Sequence, residues 1–137
     1  MIEKYTKQNI LRKDIDYIVN KVSTSGQLRH TSNIIKRLKD IYLIKKDNKI
    51  IGFTCNKTSI LEGFDIELGY AWIDPNLRGN IYGIKLFDYQ VKDIKNNKLK
   101  AYSVNRITNT VMTKYCKKKN FKRFFKTNRL EWWIINK

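Results

Sequence analysis

Leu11, Ile15, Ile18 and Val22 recur at helical intervals and predict an amphipathic helix over about 9–22, ended by Ser23-Thr24-Ser25-Gly26. Thr31 or Ser32 is placed to cap a second helix, with Ile34, Ile35, Leu38 and Ile41 facing inward. The pattern then changes. Residues 42–46 and 49–55 are strand-like runs on either side of Asp47-Asn48, a hairpin signal. A short strand is expected over 57–61. Another is expected over 66–73, where Glu-Leu-Gly-Tyr-Ala-Trp is too rich in glycine and aromatics for a helix. Beyond the loop at 74–80, Ile84, Phe87, Val91 and Ile94 mark one face of a helix. Residues 99–104 read as a strand, and Thr108 or Asn109 caps a helix to about Lys118 with Val111, Met112 and Tyr115 on its apolar side. Strands over 121–125 and 130–135 close the chain. The predicted order is ααββββαβαββ, an α/β (α+β) fold with a mixed sheet.

Length and composition make this a single globular domain spanning 1–137. The chain buries roughly two-thirds of its unfolded surface, and it contains no repeat, low-complexity tract or Pro/Gly-rich linker. No apolar run approaches the roughly 18 residues of a membrane span. The first residues, Met1-Ile2-Glu3-Lys4-Tyr5-Thr6, have no signal-peptide pattern, so the expected location is the cytoplasm. Cys55 and Cys116 fall in different elements without metal-ligand spacing and read as free thiols. His30 is the one histidine and sits in a turn, poor grounds for a nucleophilic triad with Cys116. No metal is expected.

The net charge of +17 attracts polyanions, nucleic acid before membrane. Codon bias toward Lys, Ile and Asn explains part of it, but the charge is uneven. Residues 1–88 carry 15 basic and 10 acidic side chains, whereas 89–137 carry 14 and two. Lys117, Lys118, Lys119, Lys122, Arg123 and Lys126 interleave with aromatics, which suits a nucleic-acid surface. On the plainer reading, the aromatics fill the core beneath the closing strands and the lysines keep the rim soluble.

The strand–loop–helix over 66–96 carries the most chemical information. A helix start exposes unpaired N–H groups and the positive end of its dipole. A glycine-bearing loop feeding into it can wrap a diphosphate. Gly79 and Gly83 let the backbone approach closely, and Arg78 adds a cation.

Ile73-Asp74-Pro75-Asn76-Leu77-Arg78-Gly79-Asn80-Ile81-Tyr82-Gly83, followed by an apolar helix, resembles the signature of the GNAT superfamily of N-acetyltransferases. The stretch from Asn109 to Phe121 resembles that family's second motif, and the element order matches along nearly the whole chain. The resemblance implies a mostly antiparallel mixed sheet flanked by helices, and direct acetyl transfer from acetyl-CoA to a primary amine. It implies that main-chain N–H groups of Arg78, Gly79, Asn80, Ile81, Tyr82 and Gly83 hold the CoA pyrophosphate. The strand at Trp72 and Ile73 would pair with the pantetheine amides. Asn109 would touch the pantetheine arm or stabilise splayed strands.

Such chemistry wants a base, an oxyanion donor and an acid. Glu67 lies where several family members keep a glutamate base. Its even offset from Ile73 puts both on one strand face absent a bulge, and apolar neighbours would raise its pKa. For the acid, the usual tyrosine position is Cys116, with Tyr115 one residue earlier. Two departures stand out. Ile81 replaces the middle glycine, so the loop must already be helical there, with the side chain turned away from the phosphates. Asn120 replaces the glycine before Phe121, a mild change, because asparagine tolerates left-handed backbone. The residues leave three readings open: acetylation of an amine carried on a nucleic acid (aminoacyl-tRNA, RNA or DNA), acetylation of a small or protein amine, or a non-catalytic nucleic-acid-binding module on the same fold. Open sheets in this family often pair into homodimers, but no interface is legible.

Overall fold

The computed structural model describes residues 1–24, 31–79 and 81–137. Its spine is a seven-stranded sheet of order β1-β2-β3-β4-β5-β7-β6. The strands are β1 (Ile2–Thr6), β2 (Leu38–Lys46), β3 (Lys49–Thr58), β4 (Ile66–Ile73), β5 (Ala101–Arg106), β6 (Lys122–Lys126) and β7 (Leu130–Asn136). The described helices are α1 (Arg12–Thr24), α2 (Thr31–Arg37), α3 (Tyr82–Asn96) and α4 (Thr110–Lys118), with one 3-10 turn at Pro75–Leu77. Only β4 and β5 run parallel; every other neighbouring pair is antiparallel. This is the expected mixed α+β sheet with flanking helices.

The order differs at the start. β1 has no counterpart in the predicted order; it is an edge strand with incomplete alternation, and its pairing with β2 makes it a strand. Leu38 and Ile41 are buried, but in β2, because α2 stops at Arg37. No separate strand covers 57–61, since β3 runs to Thr58. The turn at Ser25-Gly26, His30, and the capping side chains of Thr31 and Ser32 lie outside the described residues.

Apolar helix positions mostly point inward. On one face of the sheet, Ile15, Ile18, Val19 and Val22 of α1 and Ile34 of α2 pack against Ile41, Leu43, Phe53 and Cys55. On the other, Val91 and Ile94 of α3 and Met112, Tyr115 and Cys116 of α4 cover Ile66, Leu68, Ala101, Trp133 and Ile135. Leu11, Ile35, Ile84 and Val111 were expected inward and are exposed. Val111 shows why: the buried stripe of α4 is Met112, Tyr115 and Cys116, and its neighbour in sequence points about 100° away.

Two local devices shape the sheet around β3 and β4. Asp47 and Asn48 both take positive φ (53° and 63°), giving the tight β2–β3 hairpin. In β4, Phe53 pairs with Trp72 and Cys55 with Gly69, so β4 holds one residue more than β3 between these pairs. This bulge leaves Tyr70 at φ 54°, a strained conformation for an aromatic residue. It also reverses the strand's alternation. Leu68 and Ile73 both pack toward the α3–α4 face, while Tyr70 and Trp72 pack toward α1. Glu67 and Ile73 therefore lie on opposite faces, correcting the expectation of a shared one.

Candidate active site

The β4–β5 ladder joins Ile66–Leu68 to Ala101–Ser103 and then ends. Beyond it a cleft of about 540 Å³ opens between the strands. Leu68, Gly69 and Tyr70 form one wall, Ser103 and Asn105 the other, with Phe87, Asn109 and Met112 on the helical side. Lys57 and Glu67 stand at its closed end, and Arg106 and Leu130 also line it.

From the end of β4 the chain enters the predicted phosphate loop. Asp74 accepts a bond from the Asn76 amide and starts the 3-10 turn at Pro75. Arg78 folds back, its Nε donating to the Ile73 carbonyl (3.0 Å). Gly79 needs its glycine, because φ is 87°. A Cβ there would meet nothing within 4 Å, and one at Gly83 would meet only Ile73, at an ordinary 3.7 Å. Open space at Gly79 leaves room for a ligand beside the backbone. Ile81 has helical dihedrals (φ −75°, ψ −8°), as its side chain demands, and is 59% exposed. The first turn of α3 carries no acidic residue, so nothing there repels a phosphate. Asn80 lies outside the described residues. Trp72 stacks on Phe53 and Ile73 packs near Tyr42 and Leu86; these side chains are structural, so any ligand contact would come from their main chain.

Glu67 is 5% exposed and is flanked across the sheet by Lys57 of β3 and Tyr102 of β5, with Arg37 reaching it from the end of α2. Its Oε1 accepts bonds from Arg37 Nη2 (3.0 Å) and the Tyr102 hydroxyl (2.9 Å), and its Oε2 takes the Lys57 ammonium (2.9 Å). Burial alone would raise its pKa, but Lys57 and Arg37 outweigh burial and hold the carboxyl below its ordinary range. The expectation of a raised pKa is thus corrected: the neighbours are cations, not apolar groups. Lys57 reaches Glu67 by lying across Gly69, where any side chain would collide with its stem, and its ammonium rests 4.6 Å from the centre of the Tyr70 ring.

Neither expected acid lines the cleft. The Tyr115 hydroxyl donates to Asp88 (2.7 Å) in a second depression between α3 and α4. Cys116 is fully buried behind Asn105, whose Nδ2 donates to its sulfur at 3.6 Å. Burial pushes the thiol up to about 11. Asn109 does reach the cleft. Its side chain caps α4 by accepting from the Met112 amide, and Asn120 takes the predicted left-handed turn (φ 60°) at the helix end.

No known family model matches the sequence, and neither does any curated protein. Solved structures do match. An acyl-CoA N-acyltransferase from Pseudomonas aeruginosa superposes with a TM-score of 0.80 at 7% identity, over 98% of this chain and 97% of that one. The N-acetyltransferase PseH from Campylobacter jejuni, in complex with acetyl coenzyme A, gives 0.66 at 15% identity over 100% and 99%. A GNAT family acetyltransferase from Elizabethkingia anophelis with acetyl-CoA bound gives 0.70 at 13% identity over 100% and 97%.

The chain has the GNAT fold.

On this GNAT fold the basic C-terminal residues divide. Lys119 pairs with Asp88 (3.0 Å) and Arg123 with Glu131 (3.1 Å), while Lys117, Lys118, Lys122 and Lys126 are exposed. The aromatics divide as well. Phe121 and Trp133 are buried, but Phe124 and Phe125 stand exposed on β6, contrary to the core expected there; β6 is the sheet's edge, where Phe124 stacks on Phe64 and Phe125 packs edge-on against Trp132. Among the described residues no group of His, Cys, Asp or Glu is arranged to hold a metal, and no helix is long and apolar enough to cross a membrane.

The sequence reading missed Arg37, Lys57, Tyr70 and Tyr102. Lys57 left a trace: it follows Phe53 and Cys55 at two-residue spacing, on the face that points to the core. Gly69 within a strand also signals a bulge or a close approach, and here both occur. Arg37 and Tyr102 left none, because each meets Glu67 from a distant part of the chain.

Proposed function

We propose that this protein is an N-acetyltransferase that moves an acetyl group directly from acetyl-CoA to a primary amine. The observation that carries this reading is the parted β4–β5 pair, whose cleft runs along β4 as far as Ala71, on the strand that leads into the glycine loop at the start of α3. Main-chain N–H groups from Arg78 to Gly83, Asn80 and Ile81 included, hold the pyrophosphate. The β4 backbone at Trp72 and Ile73 takes the place of a strand partner for the pantetheine amides. Asn109, fixed as the α4 cap, meets the pantetheine arm in the cleft. The bound thioester supplies the acyl group and the leaving thiolate.

Glu67 acts as a fixed negative charge that orients the amine. Three of its roughly four lone-pair positions are occupied, leaving one on Oε2 for an N–H donor. Being a weak base, it leaves deprotonation of the amine to solvent. Cys116 and Tyr115 do not touch the cleft, and Asn105 cannot relay a proton, so water entering the cleft protonates the thiolate.

Thermal unfolding with acetyl-CoA tests this reading. At a hundredfold excess over Kd, a ligand of the native state stabilises by about 2.7 kcal/mol, a rise of roughly 10 °C for a chain of this size. No rise at saturating acetyl-CoA would sink the proposal. In Glu67→Gln, kcat/KM is expected to fall at least tenfold with its pH profile unchanged in shape; loss of an ionisation from the profile would restore Glu67 as the base.

A second reading, an amine carried on a nucleic acid, draws on one observation. Ile107 donates to the Arg129 carbonyl (2.9 Å), tying the basic β6–β7 turn to the loop whose Arg106, Thr108 and Asn109 line the cleft. Binding of RNA or DNA that weakens steeply with salt would support it, and absence of binding at low salt would remove it.

A further inference from the structure

The closed end of the cleft has more hydrogen-bond donors than acceptors. Arg37, Lys57, Tyr70 and Tyr102 gather around one carboxylate, Glu67, with the Thr58 carbonyl taking a second bond from Arg37. Two donors have no partner among the described residues: Arg37 Nε and the Tyr70 hydroxyl, both inaccessible to water. A buried donor left unpaired costs roughly 1–3 kcal/mol, so two in one cluster mark a place short of an acceptor. The charge count agrees. Arg37 and Lys57 oppose Glu67, leaving one positive charge, and Arg106 adds another along the wall. Among the described residues Glu67 is the one acidic side chain that lines the cleft.

Lys57 and Arg37 do not serve the cofactor's phosphates. Lys57 pairs with Glu67 across β3 and β4, and Glu67 lies six residues before the end of β4. At about 3.3 Å per residue, that is roughly 20 Å from the phosphate loop. They stand instead where the acceptor amine would meet the acyl group.

We infer that the acceptor is an amine carrying its own anionic group, a carboxylate or a phosphate, close to the amino nitrogen. Lys57 receives the anion, with Arg37 behind it, and the free lone pair of Glu67 Oε2 receives the amine. Lys57 is suited to this. Gly69 leaves space for its stem, while Glu67 and the Tyr70 ring hold its ammonium and leave N–H donors to spare. A polyamine would meet uncompensated cations at the same place, which costs binding.

The inference rests on the acetyltransferase reading, and the experiment keeps the two apart. Acetyl-CoA binding is measured first by calorimetry. CoA release is then followed with free amino acids, their carboxamides, O-phosphoethanolamine and spermidine. The expected result is a kcat/KM at least tenfold higher for a carboxylate- or phosphate-bearing amine than for its carboxamide or spermidine. Comparison of amino acids with O-phosphoethanolamine tells the two anions apart. In Lys57→Gln that preference shrinks at least tenfold, mostly through KM, and Lys57→Arg restores part of it. Acetyl-CoA binding combined with equal or better use of carboxamides or spermidine overturns the inference alone. A preference unchanged in folded Lys57→Gln does the same. Absence of acetyl-CoA binding overturns the transferase reading and this inference with it.

Discussion

Two buried polar clusters lie on opposite faces of the same sheet, and they are built differently. On the α3 face, Gln90 is fully buried. It accepts from Thr54 Oγ1 (2.9 Å) and donates to the Cys55 carbonyl (3.0 Å) and Asn56 Oδ1 (2.8 Å). Asn56 in turn donates to Asp40 (3.0 Å) and Tyr42 (3.1 Å), and Tyr42 donates to Asp93, which Lys4 pairs at the rim. Amides and hydroxyls make up most of its interior, with Asp40 the buried carboxylate, and the bonds of Gln90 and Asp93 lock α3 to β2 and β3. On the α1–α2 face, the Glu67 cluster is built around charges, borders the cleft and retains two donors unpartnered among the described residues. A polar cluster that serves docking closes its bonds within the protein. One that serves a ligand leaves part of its capacity open.

Breaking either cluster at its hub should hurt most, and the charged one more. Glu67→Leu strands two cations and is expected to cost about 3–5 kcal/mol in urea unfolding. Combining it with Lys57→Met should recover part of that loss. Gln90→Leu leaves three polar partners unsatisfied and should cost about 3 kcal/mol. Because Gln90 is remote from the loop at 78–83, the acetyl-CoA Kd should stay within about twofold of wild type. A cost under about 1 kcal/mol would show that the α3 cluster does not lock the helix to the sheet.

Acid separates the clusters less sharply. Glu67 and Asp93 both have lowered pKa values: burial pushes each up, but Lys57 and Arg37 prevail at the first, and Lys4 and Tyr42 at the second. A carboxylate with a depressed folded pKa stabilises above its unfolded pKa and loses that contribution as pH falls through the folded value. Stability should therefore hold down to about pH 5 and decline below the ordinary carboxylate range near 4. In Glu67→Gln the slope of that decline should be shallower, as read from urea midpoints at several pH values.

The finest contrast is between two tyrosines. Tyr42→Phe removes a satisfied hydroxyl and should cost about 1–2 kcal/mol. Tyr70→Phe removes an unsatisfied one and should change stability by less than about 0.5 kcal/mol, or raise it. At the phosphate loop, Gly79→Ala imposes a side chain on φ 87°, a strain of about 1 kcal/mol, and is expected to weaken acetyl-CoA binding about tenfold by calorimetry.

Much of this was legible in the chain. Helical spacing placed α1, α3 and α4, and Asp47-Asn48 placed the hairpin, because these depend on residues within a turn or two of each other. The loop with Gly79, the helical entry at Ile81, the cap at Asn109 and the left-handed Asn120 were legible for the same reason. Backbone requirements of that kind are written locally.

What depended on partners far along the chain was not. β1 is a strand because β2 offers an edge. The bulge at Tyr70 reversed the face predicted for Ile73, since one added residue shifts a period of two. Glu67 was readable as a carboxylate on a strand. Its weak basicity came from Arg37, thirty residues away, and from Lys57 on the neighbouring strand. The sequence by itself determined which segments become helix, turn and loop, through forces that act over a few residues. Only the tertiary structure decided the charge environment of the cleft, because that is set by side chains the sheet brings together across its strands.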